Sequence, residues 1–420
     1  MLTQLFDVMF YASLETEERQ PITFDLTYLN PADPDPHPPR GPRPDRWRVV
    51  PLEKPFPFSI RNLVKVAKAS DPRTSSFAVF SDEAGGLEIW GMVDQGNQYH
   101  DFVHYDADSG PDRPGVFQTA AVAPGRLNVR VRYDLLAELN VHQITRPLGD
   151  PLGSGAVREA LEPGIQSFLQ FARDASGGDY VLRGEWDFVL ADAWLATIAR
   201  ILLRIRGLQH GGALLITPDT TLASLDLKYE LDYERLSDAL RRVAAVRVAH
   251  TKVSDVIGEE FIDAGKDYVP MDLYLDEAVT DEEVRDIEIE IDGAVWFISL
   301  LSRVDGLVLM DRDLRVRGFG VVITAEQPPA QVFVAGDDHA TPAQLTAIPY
   351  SDFGTRHRSM MRYCDAVPGA VGFVISQDGH VRAITKVGDA PVMFDGLQLQ
   401  RLIVTAAGED KTDAQGDDNV

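Results

Sequence analysis

Val304-Asp305-Gly306-Leu307-Val308-Leu309-Met310 is an apolar run headed by a carboxylate and a glycine. Two further stretches share that layout: Gly354-Thr355-Arg356-His357-Arg358 and Val374-Ile375-Ser376-Gln377-Asp378-Gly379. Each sets polar groups beside strand-like or helix-forming residues, at an element end or turn. Together they gather a carboxylate, two guanidiniums, an imidazole and hydroxyls into one compact segment. That set suits a nucleoside triphosphate with a divalent cation.

Around these stretches the pattern reads as alternating helix and strand. Thr280-Asp281-Glu282-Glu283 has the form of a capping box. It opens a helix whose stripe is Ile287, Ile291, Val295 and Ile298, although Ile-Glu-Ile-Glu-Ile also alternates as a strand would. Asp292-Gly293 falls inside that helix, with Gly293 allowing close packing. Residues 305–323 form a hairpin around Asp311-Arg312-Asp313, and 324–352 a polar loop. A helix capped by Gly354 or Thr355 runs to about Cys364 and breaks at Pro368-Gly369. Ala370–Ile375 and Val381–Thr385 flank an Asp-Gly turn and predict a last hairpin. The polar tail 407–420 predicts disorder.

Upstream, Leu5 to Leu14 is apolar and residues 31–44 are proline-rich, which predicts an exposed extended loop. Ile60, Leu63, Val64 and Ala67 share a helical face. Ser76–Phe80 and Leu87–Val93 flank a glycine turn. Residues 107–127 read as a loop, Leu127–Tyr133 as a strand, and Asp134–Leu139 as the start of a helix. Residues 155–207 are helical, with Trp194, Ile198, Ile201 and Leu202 in one stripe. Gly212–Ile216 is a strand with Leu225–Leu231 pairing back, and Leu236–Val246 a helix. A helix–strand–turn–strand order recurs near 58–93, 192–230, 281–323 and 356–385. Gly211–Ile216 and Asp305–Met310 begin alike. A repeated α/β unit and a chance likeness between common segments are both open.

The chain has 65 acidic and 40 basic side chains, a formal charge of −25. Such a balance argues against nucleic acid as a partner, because binding a polyanion needs many lysines and arginines. It also makes a local arginine pair more telling. No apolar run is long enough to span a membrane, and the N-terminal residues lack the pattern of a signal peptide. The single cysteine, Cys364, excludes an internal disulfide framework and fits a reducing cytoplasm. It reads as a packed thiol.

Asp305 at a strand start is either a metal ligand near a substrate hydroxyl or a turn cap, and Gly306 would let a nucleotide approach the backbone. Gly354-Thr355 leading into a helix leaves free N–H groups for an anion. Arg356 and Arg358 can grip phosphate as planar forks, or pair with surface carboxylates. His357 can donate to phosphate or ligate metal. Ser376 at a strand end can serve a ligand or close its own turn.

These three stretches, in this order, resemble the diadenylate cyclase domain. That family carries Asp-Gly-Ala on a strand, Gly-Thr-Arg-His-Arg at a helix start and a Ser-Glu-Glu-type strand end. The resemblance covers roughly 275–405. The upstream part resembles the N-terminal sensor region attached to some bacterial diadenylate cyclases. The resemblance implies condensation of two ATP into cyclic di-AMP with release of two pyrophosphates, supported by Mg²⁺ or Mn²⁺. Two facing cyclase domains would each hold one ATP. Asp305 would bind metal and help deprotonate the 3′-hydroxyl. Thr355, Arg356, His357 and Arg358 would hold phosphates, with His357 a second candidate metal ligand. Gly306, Leu307 and Gly354 would line the nucleotide, and Ser376 and Asp378 the phosphate and metal side. Three positions depart from the family pattern. Leu307 replaces alanine, Val304 stands where many members have histidine, and Gln377-Asp378 replaces a glutamate pair.

The expected architecture is α/β: a mixed-sheet cyclase-like C-terminal domain after an α/β regulatory region. The expected divisions are 1–150 with the proline-rich loop, 151–270 as a sensor region, 271–406 as the cyclase-like domain, and the tail. The expected function is a cytoplasmic diadenylate cyclase controlled by an unidentified effector at residues 1–270. The alternatives are a degenerate nucleotide-binding sensor of the same fold and a scaffold.

Overall fold

The computed structural model describes residues 2–35, 47–71, 74–81, 85–95, 116–131, 134–146, 149–175, 184–208, 210–218, 220, 222–376, 380–397 and 399. The fold is mixed α/β with mixed sheets, in two compact units, Met1–Pro147 and Leu148–Gly408. The sequence divisions at 407–420 and within 31–44 fall wholly or largely outside the described residues.

The first unit begins with helix α1 (Leu2–Ser13) and a small hairpin, β1 (Thr16–Glu17) and β2 (Gln20–Pro21). An eight-stranded sheet follows: β3 (Phe24–Tyr28), β4 (Arg48–Pro57), β5 (Ser75–Ser81), β6 (Leu87–Asp94), β7 (Phe117–Ala123), β8 (Arg126–Val131), β9 (Asp134–Asn140) and β10 (Gln143–Thr145). Its spatial order is β10-β9-β8-β7-β3-β5-β6-β4. Helix α2 (Ile60–Val66) starts at Ser59, whose hydroxyl accepts from the Asn62 N–H. Leu5 and Met9 of α1 and Leu63 of α2 bury against Phe24, Leu26, Phe77 and Ile89.

Two readings fail in this unit. Residues 117–123 are strand β7, where a loop was expected, because Gln118–Ala121 pair with both β3 and β8. Asp134–Asn140 is strand β9, not a helix. A short segment next to a partner strand gains a full ladder against β8, whereas a helix of that length is marginal.

The α-helices of the second unit, among the described residues, are α3 (Ala156–Ala175), α4 (Gly184–Gly207), α5 (Arg235–Ile257), α6 (Met271–Leu301) and α7 (Thr355–Ala366). Its strands are β11 (Gly212–Thr217), β12 (Leu225–Tyr233), β13 (Leu307–Asp311), β14 (Val316–Ile323), β15 (Phe333–Ala335), β16 (Leu345–Ala347), β17 (Val371–Ile375), β18 (Val381–Val387) and β19 (Ala390–Phe394). They form one sheet in the order β12-β14-β13-β11-β17-β18-β19-β15-β16. The two faces are covered differently. Leu214, Ile216, Val308, Met310 and Phe373 bury under α3–α6, including Trp194, Ile198, Ile201 and Leu202. Leu215, Leu307, Leu309, Val374 and Ile384 bury under α7, against Met360, Met361, Tyr363 and Cys364. A fully buried aliphatic side chain contributes roughly 1.5–3 kcal/mol over an exposed one, so both layers hold the sheet.

The boundary expected at 270 does not appear. β11, from the segment assigned to a separate sensor region, sits between β13 and β17 at the centre of the sheet. Its burial on both faces made it central rather than one arm of a hairpin. β12 accordingly pairs with β14, and not back on β11.

Helix α6 also departs from its expected start. It begins after Pro270, and Thr280 lies inside it, its hydroxyl donating back to the Asp276 and Glu277 carbonyls. Packing against α5 carries the helix through the capping-box sequence. Ile287 and Ile291 are buried while Ile289 is exposed, which is helical placement and not strand alternation. The space beside Gly293 is open, so it serves no close packing. Within the expected loop 324–352, β15 and β16 extend the sheet. The recurrent helix–strand units do meet in one place: β11 and β13 run parallel with Leu214 opposite Val308, the register in which their sequences align.

Candidate functional site

The sheet register gathers the polar stretches at one end of the second unit. β11 starts at Gly212, which lies opposite Ile375 at the end of antiparallel β17. β13 is parallel to β11, so Asp305 and Gly306 precede it at the same end. β18 is antiparallel to β17 and pairs Val381 with Ile375, so Ser376 and Arg382 belong there too. Helix α7 leads directly into β17 and packs back along it, which returns its N-terminus to this end. Asp305, Gly306, Gly354–Arg358 and Ser376 therefore share one rim. They do not all touch: β13 and β18 are three strand spacings apart, about 14 Å.

Asp305 is exposed, just ahead of β13, and its carboxylate forms no ion pair or hydrogen bond among the described residues. It stands just before the buried strand β13, as expected, with its carboxylate in solvent. Gly306 has φ +118°, and a Cβ there would lie 2.5 Å from the Gly320 carbonyl carbon. Only glycine fits this crossing of two backbones. Leu307 does not line the rim with its side chain, which is buried beneath α7. The bulk that distinguishes it from alanine is absorbed by the core.

Gly354 caps α7 with no side-chain cap bond, and nothing lies within 4 Å of its would-be Cβ. The first intrahelical bond runs from Arg358 N–H to Gly354 O at 3.0 Å. The N–H groups of the first turn before it face outward, at the positive end of the helix. Arg356 is exposed and Arg358 half-buried, and neither guanidinium pairs with a carboxylate or any other group among the described residues. In a chain with 65 acidic residues this is informative. The surface-pairing alternative is not realised among the described residues.

His357 is half-buried. Its Nε2 lies 3.5 Å from Arg382 Nη1, and Arg382 Nε donates to Asp395 Oδ2 at 3.1 Å. Burial, then the Arg382 cation, push its pKa from 6.5 down to about 4, while Asp395 pulls the other way. The ring is neutral at physiological pH. A cation fronting Nε2 opposes a metal ion at that nitrogen, so the structure disfavours His357 as a metal ligand. Phe353 packs near its ring, with centroids 6.2 Å apart, and Tyr350 Oη donates to Arg358 O at 3.1 Å.

Ser376 closes its own turn: its Oγ accepts from His380 N–H at 3.1 Å, and its N–H donates to His380 O at 3.0 Å. Gln377 and Asp378 lie outside the described residues. Among the described residues no group of three or more His, Cys, Asp or Glu is placed to hold a metal ion. Asp305 is a fitting single ligand for Mg²⁺ or Mn²⁺ only if substrate phosphates complete the shell, which is the usual habit of such ions. Among the described residues no helix is long and apolar enough to cross a membrane.

Sequence reasoning missed Arg382 and Asp395. The available signal was phase: Arg382 shares a strand face with the buried Ile384, and Asp395 with the buried Met393, so both are charged residues at inward positions.

Residues 1–94 match the family described as probable sensor domain DACNV, the N-terminal sensor domain of diadenylate cyclases. The match covers β1–β6 with α1 and α2 and ends within the first unit. No curated protein matches the chain.

Proposed function

We propose that this protein is a diadenylate cyclase that joins two ATP into cyclic di-AMP and releases two pyrophosphates. The observation that carries the reading is the Arg356–Arg358 couple at an open helix start, on the same sheet rim as Asp305, all three without a partner among the described residues. The sensor-domain match at residues 1–94 supports it from the other end of the chain.

The residues divide the work. Arg356 and Arg358 grip phosphate oxygens as planar forks and offset the charge that develops at phosphorus. The α7 N–H groups and the neutral His357 add donors. Gly306 keeps the backbone low beside the ribose. Asp305 takes the proton of a 3′-hydroxyl as that oxygen attacks the α-phosphorus of the other ATP. The bond to the β-phosphate breaks and pyrophosphate leaves; the step occurs twice. Bound Mg²⁺ or Mn²⁺, held by Asp305 and phosphate oxygens, would lower the hydroxyl pKa and screen phosphate charge. Asp378 would complete the phosphate side, with Ser376 shaping the turn that carries it. Two ATP molecules must meet head to tail for this chemistry, so the reaction takes two facing copies, each holding one ATP. The sensor region would adjust that pairing in response to an effector. ATP as substrate puts the enzyme in the cytoplasm.

The thin set of metal donors among the described residues favours a second reading, a nucleotide-binding sensor without turnover. One assay separates the two. ATP with Mn²⁺ yields cyclic di-AMP from the natural chain and none from Asp305→Asn if it is an enzyme. Saturable ATP binding without product supports the sensor. A protein that stays monomeric at millimolar ATP counts against the facing-site mechanism.

A further inference from the structure

Arg382 differs from the other arginines on this rim. Arg356 and Arg358 carry free forks, whereas Arg382 is engaged on both sides, by Asp395 at Nε and by His357 at Nη1. The register builds this arrangement. Ala383 stands opposite Phe394 in the antiparallel β18–β19 pair, so Arg382 and Asp395 are the next cross-strand neighbours. They lie in phase with Ile384 and Met393, on the face that α7 covers. His357, in the first turn of α7, descends onto them. A charge at an inward position needs a partner, and Asp395 supplies it.

The contact also dictates a tautomer. A guanidinium has donors and no acceptor, so the ring nitrogen that faces it must present a lone pair. A proton on Nε2 would set donor against donor beside a cation. The neutral ring therefore carries its proton on Nδ1. Which nitrogen is protonated is set by what the other one meets.

We propose that Arg382, braced by Asp395, is a positioning residue that fixes His357 as the Nδ1–H tautomer and so selects Nδ1–H as the donor offered to a bound phosphate. The phosphate role rests on the cyclase reading; the tautomer does not. Arg382 itself is not a phosphate fork, because its Nε and Nη1 are already committed.

The test uses the full chain labelled with heavy nitrogen in histidine alone, observed by long-range proton–nitrogen NMR at neutral pH. His357→Gln identifies the signal. The expected pattern for His357 is a protonated Nδ1 and a bare Nε2. Arg382→Met, which presents no donor, moves the proton largely to Nε2, while Arg382→Lys, which still presents a cationic donor, keeps it on Nδ1. The remaining histidines hold their patterns, which separates a local change from misfolding. A natural protein with His357 protonated on Nε2, or an Arg382→Met protein that retains Nδ1–H, overturns the proposal. In the cyclase assay Arg382→Met lowers kcat about tenfold or more at little changed KM, the scale of a lost supporting shell. An unaltered kcat overturns the catalytic half. Absence of any product from the natural chain defeats the cyclase reading and leaves the tautomer result standing.

Discussion

The Cβ that Gly306 lacks would lie 2.5 Å from the carbonyl carbon of Gly320 and 2.7 Å from its Cα. Gly306 also sits at φ +118°. Gly306→Ala must therefore move either β14 or the approach to β13, and with it Asp305. The expected cost is about 2 kcal/mol or more. Denaturant unfolding measures the stability loss. Product formation should fall further than stability alone accounts for, even at temperatures where the variant remains folded.

Arg356→Ala and Arg358→Ala test the opposite kind of position. Neither guanidinium has an intramolecular partner among the described residues, so unfolding free energy should change by no more than about 0.5 kcal/mol. Turnover should fall about a hundredfold or more, the size expected when a preorganised charge is withdrawn from a transition state. Arg→Lys at either site should recover only part, because a point charge cannot grip two oxygens in a plane.

His357 makes stability depend on pH in a defined window. Its folded pKa is about 4, below the ordinary 6.5. Between those values the unfolded chain takes up a proton that the folded chain refuses. The contribution is complete above pH 6.5 and is lost as pH falls towards 4. The denaturant midpoint should drop through that interval, and His357→Gln should flatten the drop. A profile unaffected by His357→Gln would exclude this residue as its source.

Cys364 is fully buried, and burial pushes its thiol up to about 12. Its Sγ donates to Ile384 O at 3.3 Å. A thiol held protonated in the core does not react. A chromogenic disulfide reagent should label the native protein no faster than it unfolds, and labelling should accelerate with denaturant in step with the loss of circular dichroism.

The sequence disclosed short-range features better than partnerships. The α6 stripe of Ile287, Ile291, Val295 and Ile298 reads directly from a helical period, and all four are buried. The Asp-Gly and Arg-His-Arg stretches were visible as residue types. What could not be read was which strands are neighbours. β11 has a continuous apolar run, which fits any central strand, and nothing local names β13 and β17 as its flanks. The capping box at Thr280 was chemically sound and still lost to packing along α5. Asp134–Asn140 was too short for period to decide between helix and strand. Arg382 and Asp395 escaped notice because a charged residue on a strand is ordinary until its phase is compared with the buried residues beside it.

The central place of β11 has a consequence for how the chain comes to be made. Gly212 must wait for Ile375, and the long intervening span has to be gathered in before that pairing returns any free energy. A nascent chain that has emerged only as far as α6 would hold β11 with neither of its lasting neighbours, its hydrogen-bonding edges open to other chains. The polar rim thus assembles only after β17 and β18 have been synthesised. Ribosome-stalled lengths stopping before β17 should be the protease-sensitive and aggregation-prone ones.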